Sequence, residues 1–267
     1  MRSLLVCLMV VAGLAGPAAA APPDALHGKV KGYLAQGDLP DSVSLLAPPP
    51  AQGSAASAAD EEAYRLTRSL RGTPRWALAA RDADLDFPEA AETFSCALDA
   101  PINDKEMPCL YQLLLRAKAD AARATGKAKG HYLRVRPFVV YKEATCTPDF
   151  EFRMAFSGSY PSAHAAVGWA WALILAEIAP ERIDAVLARG REFGRSRVVC
   201  GVHWQSDVEA GCMVASGVVA RLHADPAFRM QIEAARAELA GVRAKKLKPA
   251  RDCKTEAAAL ALGGKTE

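Results

Sequence analysis

Three short segments of the sequence carry residue types that bind phosphate and move protons. They span residues 129–137, 161–164 and 196–207. Cationic side chains and a hydroxyl can hold a tetrahedral anion, and imidazoles can attack it or exchange protons with it. The chemistry to which these segments point is the binding and transfer of a phosphoryl group.

The first segment places Lys129 and Arg136 seven positions apart and ends in Pro137. Arginine binds two oxygens of an anion through its planar fork, whereas lysine acts as a point charge. The fixed φ of Pro137 sets the direction in which Arg136 leaves the chain. Taken alone, the segment is more typical of a solvated basic patch.

The second segment, Pro161 to His164, precedes a long apolar run and predicts the N-terminus of a helix there. Ser162 and the backbone N–H groups of Ala163 and His164 would then face outward, where a helix binds anions. A protonated His164 could donate to a leaving oxygen. The alternatives are an ordinary N-cap for Ser162 and an ordinary polar side chain for His164.

The third segment supplies a second arginine, Arg197, and the pair His203 and Asp207. Residues four apart share a face if the helix begins near Val202. A carboxylate that accepts the Nδ1 proton would leave the Nε2 lone pair available for attack. A structural His–Asp pair is the alternative, and the presence of Arg197 and the other segments favours the nucleophile.

The elements that must position these residues are predicted to be helices. Residues 132–141 and 197–202 look strand-like, but they contain proline, glycine or candidate functional residues, and we interpret them as loops. The run from 162 to 179 is apolar on all sides, which indicates a buried central helix. Helical spacing covers residues 60–70, 89–98, 110–124, 162–179, 182–193, 204–223 and 226–245.

The N-terminus has the pattern of a secretory signal peptide over residues 1–20. Arg2 precedes an apolar run that ends in small residues, and that run is too short to span a membrane. We expect an arm rich in proline and alanine over 21–60, one domain over 61–247 and a tail over 248–267. The expected location is the periplasm or the exterior.

Composition limits the partners and the redox chemistry. Without Arg2, the chain has 32 basic and 30 acidic residues, and this near balance predicts no nucleic-acid or membrane-surface partner. An exported chain with six remaining cysteines could form up to three disulfides, and their pairing stays open. Zinc is the alternative, but the cysteines lack zinc-type spacing. They are Cys96, Cys109, Cys146, Cys200, Cys212 and Cys253.

The three segments resemble the signature of the type 2 phosphatidic acid phosphatase (PAP2) superfamily, K-x6-RP, PSGH and SR-x5-H-x3-D. All fixed positions are present except one, where Ala163 replaces glycine. Residues 71–76, 94–97 and 200–207 further resemble the bacterial class A non-specific acid phosphatases.

This resemblance implies an all-α, single-domain bundle of the PAP2/vanadium haloperoxidase type that hydrolyses small phosphate monoesters without metal or other cofactor. A homodimer is also implied. His203 would form a phosphohistidine, Asp207 would orient it, and His164 would protonate the leaving alcohol. The groups implied to hold the phosphate are Lys129, Arg136, Ser162, the backbone of Ala163, His164 and Arg197.

Two alternative functions belong to the same superfamily, and a third belongs to another class of protein. A vanadium-dependent haloperoxidase would use the same positions but tends to have a larger N-terminal region. A membrane lipid phosphatase would need about 18 uninterrupted apolar residues, which the chain lacks after residue 20. A non-catalytic helical domain that only binds phosphate stays open.

Overall fold

The computed structural model describes residues 30–263, and every regular element within that range is helical. The prediction of an all-α fold is confirmed. The predicted signal peptide, residues 21–29 of the predicted arm, and residues 264–267 lie outside the described range. Short 3-10 turns occur at Gln36–Asp38, Arg68–Leu70, Glu89–Phe94, Pro148–Phe150 and Pro180–Arg182.

The α-helices are, in chain order, α1 (Ser42–Leu45), α2 (Ala55–Thr67), α3 (Pro74–Arg81), α4 (Ser95–Leu98), α5 (Pro108–Ala124), α6 (Gly126–Tyr132), α7 (Pro137–Tyr141), α8 (Glu151–Ala155), α9 (Ala163–Ile178), α10 (Ile183–Val199), α11 (Gln205–Leu222), α12 (Pro226–Ala244) and α13 (Cys253–Gly263).

Helix α9 is the centre of the molecule, as its apolar sequence predicts. It packs against α5, α10 and α11, and Trp171 and Ile174 on it are buried. The indole N–H of Trp171 donates to the carbonyl of Leu114 at 2.8 Å, so this large ring is buried without an unpaired donor. The N-terminal end of α9 carries the second segment and is therefore held rigidly.

Helix α10 is longer than the sequence suggested and reaches Val199, so Arg197 lies in its last turn rather than in a loop. Gly190 and Gly194 do not break it, because they allow close helix packing. A Cβ on Gly194 would lie 2.9 Å from Val208. Gly201, with φ of +83°, then turns the chain toward the third segment. The predicted loop 132–141 likewise contains α7.

The predicted arm packs against the domain and ends in a helix. Leu34 and Leu46 are buried in the main core. Helix α2 begins at Ala55, five residues before the predicted start at Asp60, because the Ser54 side chain caps it by accepting from the N–H of Ser57. The last residue of the arm, Asp60, is therefore buried in the interior.

The predicted C-terminal tail contains helix α13, which is tied to the domain. A disulfide joins Cys253 to Cys96, and Glu256 is buried within 3.4 Å of Arg189. The repeated alanines of this segment gave no amphipathic pattern, so its helix was missed. Covalent and ionic contacts to distant residues hold it instead.

A second disulfide links Cys146 to Cys200 at the end of α10, and the structure thus contains two of the three bonds that the cysteine count allowed. Cys109 and Cys212 are unpaired. Across residues 30–263, no helix has the length and apolar character needed to cross a membrane. The same range contains no group of three metal-ligating side chains.

Candidate active site

Hydrogen bonds between the three segments bring them into one site. Lys129 Nζ, on α6, donates to the carbonyl of Pro161 at 2.9 Å, which links the first segment to the second. The N–H of Ser162 donates to the carbonyl of Asp207 at 2.8 Å, which links the second to the third. Arg136 Nη1 donates to the carbonyl of Val202 at 3.0 Å and links the first to the third.

The two cations of the first segment are held by the chain that precedes α9. Lys129 Nζ also donates to the carbonyl of Gly158 at 2.9 Å, and Arg136 Nε donates to the carbonyl of Met154 at 3.0 Å. Burial and the charge of Arg136 lower the pKa of Lys129 to about 7. Burial likewise lowers the pKa of Arg136 to about 10.

Arg197 is fully buried yet incompletely paired. Its side chain is enclosed at 1% exposure, and Nε and Nη1 have no hydrogen-bond partner among the described residues. Burial and the charge of Arg136 lower its pKa to about 9. A buried, unpaired donor is costly, so the arrangement is suited to an anion that accepts from this guanidinium.

His203 is oriented from both ring nitrogens. Arg136 Nη1 lies 3.1 Å from Nε2, and since a guanidinium can only donate, Nε2 must carry the lone pair. The proton therefore resides on Nδ1, which donates to Asp207 Oδ2 at 3.3 Å. This tautomer presents Nε2 as the nucleophilic atom.

Helix α11 begins at Gln205, one residue after the predicted start at residue 204, so His203 lies just before the helix and does not share a helical face with Asp207. The pairing with Asp207 nevertheless forms. Asp207 Oδ2 also accepts from the N–H of Trp204 at 2.9 Å, so the carboxylate closes the N-terminus of the helix and faces back toward the imidazole.

The pKa of His203 lies well below its ordinary value because of burial and the charges of Arg136, Lys129 and Arg197. This side chain therefore stays neutral into the acid range. Burial raises the pKa of Asp207, and the opposing charge of Arg134 limits that rise. A neutral imidazole is the form that can attack phosphorus.

His164, in the first turn of α9, faces the same cations. Its Nε2 lies 3.0 Å from the carbonyl of Ala83 and must donate to it, which leaves Nδ1 as the nitrogen for proton transfer. Burial and the charge of Arg197 lower the pKa of His164 well below its ordinary value. The neighbouring Asp82 is fixed by Ser196, whose Oγ donates to Oδ2 at 2.6 Å.

Ser162 caps α9, since its Oγ accepts from the N–H of Ala165 at 3.3 Å. Ala163 is the first residue of the helix and is not among the described residues with positive φ. Its methyl group therefore adds no backbone strain where the signature has glycine. Gly211 allows α11 to approach, because a Cβ there would lie 2.4 Å from the Ser162 carbonyl.

Sequence reasoning missed three residues that support this site, namely Asp60, Ala83 and Arg134. Arg134 Nη1 donates to Asp207 Oδ1 at 2.8 Å. A clue to Arg134 existed, because it lies inside the first segment two positions before Arg136. Ala83 acts through its carbonyl and Asp60 lies in an alanine-rich stretch, so neither had a distinctive local pattern.

Comparison with known proteins places these features in a family. The PAP2 superfamily model matches residues 110–230. A "Non-specific acid phosphatase" of Providencia stuartii is 47% identical over 209 residues, covering 78% of this chain and 84% of that protein. An "Acid phosphatase" of Zymomonas mobilis is 43% identical over 199 residues, covering 74% and 75% respectively.

A third relative, a "Non-specific acid phosphatase" of Salmonella typhimurium, is 43% identical over 200 residues and covers 74% of this chain and 80% of its own. These alignments reach well beyond the three segments. The extent and identity of the matches leave one assignment: the chain belongs to the PAP2 superfamily and, within it, to the bacterial class A non-specific acid phosphatases.

Proposed function

We propose that the protein hydrolyses small phosphate monoesters of varied structure through a phosphohistidine on His203, without a metal ion. One observation carries the proposal. Three cations, Lys129, Arg136 and Arg197, are largely buried around two imidazoles, and the Arg197 guanidinium has unpaired donors. Burying like charges together is costly, and a phosphate dianion offsets that cost.

In the first step, the Nε2 lone pair of His203 attacks phosphorus, and the bond from phosphorus to the ester oxygen breaks. Arg136 Nη1 moves from Nε2 to a phosphoryl oxygen. The Nδ1 proton stays on His203 and remains hydrogen-bonded to Asp207. The Asp207 carboxylate stabilises the positive charge that develops on the imidazole ring. His164, protonated on Nδ1, gives that proton to the leaving alkoxide.

In the second step, water attacks the phosphohistidine and gives a proton to His164 Nδ1. The bond between phosphorus and Nε2 breaks, and inorganic phosphate is released. Lys129, Arg136 and Arg197 stabilise the negative charge on the equatorial oxygens in both steps, together with Ser162 and the N–H of Ala163. Positioned charge of this kind is the main contribution that a protein makes to phosphoryl transfer.

The histidine pKa values support an acid optimum. His164 must be protonated to act as an acid, and its lowered pKa confines that form to acid pH. His203 must be neutral, and its lowered pKa keeps it so at the same pH. A bound dianion offsets the surrounding cations and favours the protonated form of His164.

The proposal is tested by a steady-state screen of aryl, sugar and nucleotide phosphates with and without EDTA, followed by trapping of the phosphoenzyme. We expect turnover that chelation does not change, and an acid-labile, alkali-stable phosphoryl group on the protein. Loss of activity in EDTA with recovery on adding metal would contradict the metal-free mechanism. Bromide oxidation with vanadate and peroxide, without phosphate release, would identify a haloperoxidase instead.

Affinity for inorganic phosphate should fall above about pH 7, where Lys129 loses its proton. The Lys129→Arg variant keeps its charge and is the matched control, since titration of phosphate itself affects both proteins equally. Competitive inhibition constants for phosphate, measured from pH 5 to 9, should rise more steeply for the wild type than for the variant. Parallel curves would show that Lys129 does not titrate in this range.

We also propose export to the periplasm or the exterior. The signal-like N-terminal sequence and the disulfides Cys96–Cys253 and Cys146–Cys200 support it, because such bonds persist in oxidising compartments.

A further inference from the structure

The two oxygens of the Asp207 carboxylate have different partners, and Oδ2 also accepts from the N–H of Trp204. Oδ2 faces His203, and Oδ1 accepts from Arg134 Nη1 at 2.8 Å. Asp207 is fully buried, so neither oxygen has water as a substitute partner. Arg134, together with the N–H of Trp204, therefore sets the rotation of the carboxylate, and the carboxylate in turn sets the tautomer of His203.

Arg134 is itself fixed by groups outside the three segments. Its Nη2 donates to Asp60 Oδ2 at 2.7 Å, and its Nη1 also donates to Ser206 Oγ at 2.7 Å. The guanidinium lies over the Trp204 ring, 5.4 Å from its centre. All of these partners except Asp60 belong to the turn that carries Asp207.

Asp60 joins the N-terminal helix α2 to this turn. Its Oδ1 accepts from the N–H of Ser206 at 2.8 Å, and its Oδ2 accepts from Ser206 Oγ at 2.6 Å. Asp60 is buried at 3% exposure and lies outside residues 110–230, where the superfamily model matches. A carboxylate this deeply buried is retained only with several charged or N–H partners, and here all of them lie at the candidate site.

We propose that Arg134 and Asp60 form a positioning pair for the His203–Asp207 dyad, which makes α2 a required part of the active site. The inference rests on the proposed role of His203 as nucleophile. Neither residue is among the groups proposed to hold the phosphate. Their role is to keep Asp207 ionised and aligned, so that Nδ1 of His203 holds its proton and Nε2 its lone pair.

The pair also sets the charge at the dyad. The cation of Arg134 favours ionised Asp207, and the anion of Asp60 balances that cation. Removing the two members should therefore shift the acid limb of the pH profile in opposite directions. The charged and titratable groups that face this part of the site are Asp60, Lys129, Arg134, Arg136, Tyr160, Arg197, His203 and Asp207.

The test compares Arg134→Gln and Asp60→Asn with the wild type on p-nitrophenyl phosphate. A displacement of the dyad by about 1 Å should lower kcat on the order of 10²-fold in Arg134→Gln, with little change in KM or in inhibition by inorganic phosphate. Its acid limb should move to higher pH. Asp60→Asn should also lose kcat, and its acid limb should move to lower pH.

Two further variants separate positioning from stability. Arg134→Lys keeps the charge but cannot reach all three acceptors, so its acid limb should stay near that of the wild type while kcat remains low. Arg65→Gln removes an exposed ion pair on α2, the helix that carries Asp60, and should leave activity unchanged. If Arg134→Gln does not fold, Arg134→Lys and Asp60→Asn carry the same test.

Wild-type kcat in both Arg134→Gln and Asp60→Asn would overturn the inference. So would a loss of activity that is equal at every pH and is accompanied by a lower Tm. A His203→Ala variant measured in parallel separates this outcome from the failure of the proposed function. If His203→Ala is active, the nucleophile is misassigned; if it is inactive while Arg134→Gln is normal, only the positioning pair is refuted.

Discussion

Replacing His203 with alanine should lower kcat for p-nitrophenyl phosphate by at least about 10⁴-fold, as removal of a nucleophile does in other covalent enzymes. The change removes Nε2, the atom proposed to form the bond to phosphorus. In the proposed mechanism His164 must be protonated to serve the leaving group, so it has no free lone pair with which to replace His203. The measurement is phosphate release under saturating substrate.

The fold and the binding of phosphate should survive in His203→Ala. Asp207 keeps its bonds to Arg134 and to the N–H of Trp204, so its carboxylate is not left unpaired. Inorganic phosphate should still raise Tm in the variant. His223, a half-exposed histidine paired with Glu177, gives the control His223→Ala with normal activity. Activity in His203→Ala close to that of the wild type would end the nucleophile assignment.

The parts of the site that sequence could predict are those in which chemistry and local spacing coincide. His203 and Asp207 pair across four residues, and Ser162 precedes an apolar run that can only be a buried helix. Ala163 was the uncertain position. It lies in the first helical turn, where alanine is well tolerated.

The parts that sequence could not predict depend on distant partners. Asp60 and Ala83 have ordinary surroundings in the chain, and their importance comes from contacts with Arg134 and His164 across many residues. No local rule describes a carbonyl that orients an imidazole. The extension of α10 was missed for a related reason. Glycine has a low helix propensity, but Gly194 occurs in this helix because the close approach of Val208 leaves no room for a Cβ.

The pairing of the cysteines also depends on distant partners and could not be predicted from the sequence. Their number and the signal-like N-terminus predicted disulfides, but the choice of partners depends on which cysteines the fold brings together. Cys96 pairs with Cys253 across 157 positions, while Cys109 remains unpaired on α5. The disulfide fastens α13 beside Arg189, where Glu256 contributes to a buried ionic network.

Arg197→Met should lower kcat/KM on the order of 10³-fold, the effect associated with an arginine that stabilises a transferring phosphoryl group. Methionine fills much of the same volume but cannot donate to a phosphoryl oxygen. Because Nε and Nη1 of Arg197 are buried without partners, the wild-type residue costs stability. The same substitution should therefore leave Tm unchanged or raise it.

Arg189, on the same helix, is the matched control. It is also buried, and its Nε makes no hydrogen bond within the described residues, but Nη1 donates to Asp82 at 3.2 Å and the guanidinium forms an ion pair with Glu256. Arg189→Met leaves Asp82 without its cation and Glu256 with only Arg251, 3.8 Å away, and should lower the free energy of unfolding by about 3–5 kcal/mol. Two buried arginines on one helix should thus respond oppositely, since one is paired by the protein and the other is proposed to pair with the substrate. Equal destabilisation of both variants, with activity retained in Arg197→Met, would show that Arg197 has a structural role only.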